Sequence, residues 1–236
     1  MRKITLVCLL GLAALAVQAQ FTITPKVGVT ASTVGRSKAY NDGVEADGGS
    51  RPLSIGFSAG VAFAIPVGDI FSIQPEILYT QKGFKEKYDD DYFQSKINYV
   101  EIPVLLKFTF GEEDELRFFG YVGPYVGYAL NGSIIFKEGG EKNTLKSKFG
   151  DEPANYTGDD LYIPTNEVNR LDIGAYIGAG ISYPLGPGAL SLEGRYGYGF
   201  TNFDKDSSGQ ASKEDLKSQN RTIGVFLGYS IPLGGN

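Results

Sequence analysis

The sequence predicts an all-β protein: an eight-stranded antiparallel up-and-down transmembrane β-barrel, preceded by a cleavable signal peptide. Three observations predict it. The chain opens on a short apolar leader. Eight later segments alternate apolar and polar residues with a period of two. The connections between those segments are alternately short and long.

The leader reads "MRKITLVCLLGLAALAVQAQ". Arg2 and Lys3 give it a positive start, and Ile4 to Val17 is apolar apart from Thr5 and a glycine. Val17-Gln18-Ala19 then supplies the small residues that a signal peptidase reads. Cleavage after Ala19 divides the chain into a signal peptide, 1–19, and one barrel domain, 20–236. The run falls short of the ~20 residues a membrane-spanning helix needs. Cys8 lies inside the run rather than at its end, unlike a lipoprotein cysteine.

Processing removes the single cysteine, so the mature chain carries no disulfide although it enters an oxidising compartment. It also removes Arg2 and Lys3, leaving 20 basic against 27 acidic residues and a net charge of −7. That balance argues against a nucleic-acid partner.

The period of two is clearest in "LSIGFSAGVAFAI". Leu53, Ile55, Phe57, Ala59, Val61, Phe63 and Ile65 form one face; serines, glycines and alanines form the other. A helix needs a repeat of 3.6 and would be weakened by these glycines. The pattern recurs around Phe21–Ala31, from Phe71, over Asn98–Phe108, from Leu116, from Leu171, from Leu190, and over Ile223–Ile231.

Turns at 66–69, 111–115 and 184–188 are short and rich in Gly, Pro and acidic residues. The segments 33–51, 84–94, 131–168 and 203–218 are long and polar, and read as loops. Short periplasmic turns and long external loops are the signature of outer-membrane barrels. Lipid offers no hydrogen-bond partner, so a spanning sheet must close on itself. An even strand number places both termini on the periplasmic side. A soluble barrel would show the same alternation with its apolar face turned inward.

Specific wording adds a resemblance. "FSIQPEILYTQKGF", "NYVEIPVLLKF", "GYVGPYVGYAL", "RLDIGAYIGAGISY", "LSLEGRYGYGFTNF" and "NRTIGVFLGYSIPL" resemble the PorT-type outer-membrane β-barrel family of Gram-negative bacteria, an outer membrane protein β-barrel domain of the small OmpX/OmpA-like kind. Gln74-Pro75-Glu76 together with Glu101-Ile102-Pro103 is its most specific part. The resemblance implies an eight-stranded barrel in the outer membrane, with one branch of the family taking part in type IX secretion. It further implies contact with outer-membrane lipid, passage through the barrel-insertion machinery, and envelope or secretion-complex proteins as partners. The chain departs from the usual insertion signal: it ends Ile231-Pro232-Leu233-Gly234-Gly235-Asn236, and the last aromatic residue is Tyr229.

The expected strand register turns Lys26, Glu76, Lys82, Glu101, Lys107, Arg117, Arg170, Asp172, Glu193 and Arg195 into the lumen. Charges confined there must be paired or hydrogen-bonded. A mutually satisfied network is the first reading, with Glu193 set against Arg195 and Glu76 with Glu101 near a base such as Arg117. A narrow path for ions or small solutes is the alternative, although eight strands leave little width for a pore. A His-based hydrolase is excluded because the chain has no histidine. Neither an enzymatic role nor a cofactor is expected.

Two further features admit two readings each. Pro75, Pro103 and Pro124 mark either a band of bulges or three separately tolerated defects. Asp204, Asp206, Ser208 and Asp215 have the spacing of a calcium loop, or belong to a solvated acidic loop.

Overall fold

Residues 21–112, 114–150, 160–165, 167–205 and 218–233 are described by the computed structural model; the leader lies outside them. Eight strands hydrogen-bond into a closed ring. They are β1 (Phe21–Val34), β3 (Ser54–Pro66), β4 (Phe71–Tyr88), β5 (Asp91–Phe110), β6 (Arg117–Glu138), β9 (Leu171–Leu185), β10 (Gly188–Asn202) and β11 (Gln219–Leu233). Each pairs antiparallel with the next, and β11 closes on β1 with Phe21 opposite Leu233 and Val34 opposite Asn220. Closure satisfies the backbone without an open edge.

The alternation seen in the sequence sorts the two faces. On β5, Val100, Ile102, Val104, Leu106, Phe108 and Phe110 point outward, while Glu101, Pro103 and Leu105 are buried inside. Ten residue steps from Val100 to Phe110 span roughly 33 Å of strand. At a tilt of ~40° this becomes a band about 25 Å tall, matching an outer-membrane wall. The apolar residues of this wall are exposed, Val27 at 57% and Ile177 at 59%, so the apolar face is the outer one. A soluble barrel would hide it. Aromatic residues edge the band: Phe71 packs on Phe108 at the short-turn end and Tyr198 on Phe200 at the long-loop end.

One expectation is corrected, and the choice between the two readings of the prolines is decided. The segments 33–51, 84–94 and 131–168 are not simple loops. β4 and β5 run on to a hairpin tip at Asp89–Asp90, and β6 continues to Glu138, where it turns into β7 (Glu141–Gly150). β8 (Asp160–Pro164) lies parallel to β7. A helix, α1 (Lys38–Ala46), capped by Ser37, and a two-residue strand, β2 (Gly49–Ser50), follow β1. Four long strands, β4 to β7, therefore rise from one side of the barrel as a sheet flanked by β2 and β8.

The prolines make no bulge. Pairing lapses beside Pro75 and Pro103 and resumes in the same register on both sides. Pro75 and Pro124 both fall in the row of Val104, with Pro103 one residue away. The missing donors interrupt the ladder without displacing a residue. The register shifts that do occur lie at Asn98/Tyr99 and between Tyr198 and Asn202.

Glycines on β9 make room for the aromatic column of β6. A Cβ on Gly178 would lie 2.5 Å from the Tyr121 ring, and one on Gly174 would lie 2.6 Å from the Tyr125 ring. Neither position tolerates a side chain while the tyrosine stays in place. This is why inward rows rich in Gly face inward rows rich in Tyr.

Candidate functional site

The lumen holds two charge clusters stacked along the barrel axis. β1, β4 and β10 supply the one nearer the short turns. Glu76 accepts from Arg195 through both oxygens, at 2.8 and 3.1 Å, and from Lys26 at 3.0 Å. Glu193 binds the same two cations, at 2.8 Å to Lys26 and 3.1 Å to Arg195. Gln74 donates to Glu76 at 2.7 Å, and Arg195 Nε donates to the Tyr121 hydroxyl at 3.1 Å. Two cations meet two carboxylates, and all four are buried. Paired this closely, they offset the desolvation that isolated charges would suffer.

The second cluster lies nearer the long loops and draws on β4, β5, β6, β9, β10 and β11. Lys82 contacts Glu101 and reaches Asp172 at 3.0 Å. Asp172 also accepts from Asn220 at 3.0 Å, Tyr125 at 3.2 Å and Thr201 at 3.3 Å. Glu101 accepts from the Tyr176 hydroxyl at 2.6 Å. The Lys82 ammonium lies 4.4 Å from the centre of the Tyr125 ring. Two carboxylates thus share one lysine, and aromatic hydroxyls and amides supply the remaining donors. Together with Leu105, Tyr99 and Tyr125, these groups fill the barrel's cross-section.

The other expected lumen charges lie elsewhere. Lys107 and Arg117 line a cavity of about 740 Å³ at the short-turn end, with Lys107 standing 4.2 Å from the Phe119 ring. Arg117 is not the partner of Glu76; the basic residue there is Arg195, from β10. Arg170 lies apart from both clusters. It precedes β9, donates to the Ala129 carbonyl at 2.9 and 3.0 Å and covers Tyr128 on the outer wall. It sits where β6 gains an extra residue and its pairing shifts, so the register expected for it does not apply.

In the calcium-like loop, Asp206, Ser208 and Asp215 lie outside the described residues. Asp204 forms an ion pair with Arg36. Among the described residues no cluster of carboxylates has the arrangement of a metal site. Sequence reasoning missed Gln74, Tyr99, Tyr121, Tyr125, Tyr176, Thr201 and Asn220. A signal existed for Tyr121, Tyr125 and Tyr176: each occupies the inward register among glycines, where a large polar ring must have a partner.

α1 closes part of the loop end. Arg36 and Arg51 each lie over the Tyr40 ring, at 5.3 and 5.6 Å. Arg51 donates to Asn41 at 2.6 Å and to the Val34 carbonyl at 2.9 Å, and Tyr40 donates to Glu86 at 2.8 Å. These contacts tie the helix to β1 and β4.

A closed, lipid-facing wall around a charged and filled interior is the arrangement of a small outer-membrane barrel. The family model for the outer membrane protein beta-barrel domain matches residues 18–205. The chain belongs to that family.

Solved outer-membrane proteins are similar across nearly their whole length. OprG of Pseudomonas aeruginosa is 12% identical, with 92% of this chain and 97% of that one covered and a TM-score of 0.48. Neisserial surface protein A is 13% identical, covering 90% and 97%, with a TM-score of 0.41. Ail of Yersinia pestis, solved with the heparin analogue sucrose octasulfate, is 14% identical, covering 90% and 99%, with a TM-score of 0.39. None of the curated proteins matches significantly. As an outer membrane protein of this family, the barrel sits in membrane lipid.

Proposed function

We propose that this outer-membrane barrel is a non-enzymatic interaction protein with a plugged lumen, attached through its long-loop end to an envelope or secretion complex of the PorT, type IX kind. The observation that carries the plug is the pair of buried ion clusters. Glu76, Glu193, Glu101 and Asp172 are each bound to a cation and buried across the lumen. An eight-stranded interior is just wide enough for such side chains to fill. The resemblance around Gln74-Pro75-Glu76 and Glu101-Ile102-Pro103 supports the PorT-like placement. The four-stranded rise and α1 supply a surface for partners, since function in barrels concentrates beyond the wall.

In this reading the mature chain starts at Gln20. Both strand ends at Phe21 and Leu233 share the short-turn end, which faces the periplasm. Native electrophoresis of protein extracted in mild detergent tests the attachment, with co-migration in a larger assembly expected. Migration as a free barrel, with surface delivery of secreted proteins unchanged in a deletion strain, would sink it. Planar-bilayer recording tests the plug. The expected result is no unitary current, whereas stable single-channel steps would establish the rival reading of a narrow solute channel.

A further inference from the structure

The sheet that rises above the wall has its charges sorted by face. Partners in an antiparallel ladder share a face, and neighbours along a strand alternate. Above the apolar row of Tyr79, Val100 and Tyr128, the outward face begins with an amide ladder. Gln81 donates to Asn98 at 3.0 Å and Asn98 to Asn131 at 2.6 Å. The next rows on that face carry Lys85, Lys87, Lys96, Lys137, Lys142 and Lys146 and no acidic residue from β4 to β7. β8 places Asp160 in the row of Lys146. The opposite face of the same four strands carries Glu86, Asp91, Glu138 and Glu141, and its one lysine, Lys82, is buried in the lumen against Glu101 and Asp172.

Such sorting leaves like charges crowded. Burial, then the neighbouring Lys142 and Lys85, hold the Lys96 ammonium below its ordinary range. Lys85 rests 4.0 Å from the Tyr92 ring, and Lys137 donates to the Asp90 carbonyl at 3.2 Å.

Position says what neutralises this face, which is continuous with the wall that meets lipid. Lys96 lies four residues beyond Val100, roughly 13 Å along the strand and about 10 Å higher at a tilt of ~40°. Lysine ammoniums at such a margin reach back toward the interface on their flexible stems. Acyl chains lying against Ile77, Tyr79, Val100 and Ile102 would carry their headgroup past the amide ladder to the lysines.

We propose that this face is a docking surface for the phosphorylated headgroup of an outer-leaflet glycolipid. Lys85, Lys96 and Lys142 bind the phosphate and the amide ladder binds the sugar. The inference rests on the long-loop end facing outward, as in the reading above. Protease accessibility of α1 on intact cells reports that orientation independently, so the two failures are distinguishable.

The test is native mass spectrometry of the folded barrel in neutral detergent, titrated with a synthetic bis-phosphorylated disaccharide lipid. Its dephosphorylated form and inorganic phosphate serve as comparisons. The intact protein is expected to retain the phosphorylated lipid at least tenfold better than the dephosphorylated one. The triple variant K85Q/K96Q/K142Q is expected to lose that preference, and K38Q, on α1, to keep it. Heat-modifiable migration checks folding. If the triple variant does not fold, K96Q alone is expected to show a reduced preference, and K85R/K96R/K142R to keep it in full. Equal retention of both lipids, an unchanged preference in the glutamine variants, or full competition by millimolar inorganic phosphate would overturn the proposal.

Discussion

Tyr176 donates its hydroxyl to Glu101 at 2.6 Å while its ring lies 4.9 Å from the Arg195 guanidinium. One side chain from β9 therefore joins the two ion clusters of the lumen. Its ring also packs on Tyr125, centroid to centroid at 4.5 Å. Removing only the hydroxyl, by Tyr176→Phe, leaves a buried Glu101 oxygen without its donor. A loss of about 1–3 kcal/mol is expected, read as a lower urea midpoint for unfolding from detergent micelles. The outward Tyr196→Phe should stay within ~0.5 kcal/mol, and equal effects of the two changes would refute the coupling.

Glu76 is the hub of the other cluster, so Glu76→Gln should cost about 3–5 kcal/mol by leaving Lys26 and Arg195 short of a counter-charge. Combining it with Lys26→Met removes one stranded cation and should recover part of that loss. A double-mutant cycle measures this, and strict additivity of the two changes would contradict the shared network.

Gly178 and Gly194 make a matched pair. A Cβ at Gly178 meets Tyr121, whereas one at Gly194 meets nothing within 4 Å. Gly178→Ala is expected to destabilise by about 1–3 kcal/mol through overpacking, and Gly194→Ala to be neutral or slightly stabilising. Parallel unfolding titrations decide it, and a neutral Gly178→Ala would show that Tyr121 moves freely.

Arg51 anchors α1 without belonging to the barrel interior. Arg51→Ala should speed proteolytic cleavage within 38–46 several-fold while leaving the barrel's unfolding midpoint unchanged. Time-resolved digestion of the folded protein checks this, and an unchanged cleavage rate would assign the helix's position to other contacts.

The eight ring strands and the orientation of the wall were legible because membrane burial writes a period of two into the sequence. The same reading failed at 84–94 and 131–150, where neither face meets lipid and no apolar alternation marks a strand. The period persists there in charge rather than hydrophobicity: Lys85 and Lys87 alternate with Phe84 and Glu86, and Lys142 and Lys146 with Glu141 and Leu145. Arg170 was misplaced because its register was extrapolated past the point where β6 gains an extra residue.

The sequence by itself determined which residues of each ring strand share a face, because side-chain alternation is a local property of extended backbone. Val100 to Phe110 needed nothing beyond their own spacing. Only the tertiary structure decided which charges meet. Glu76 and Arg195 stand 119 residues apart, on strands brought face to face across the lumen when the sheet closes. Their pairing follows from closure and shear, and neither is encoded in any single strand.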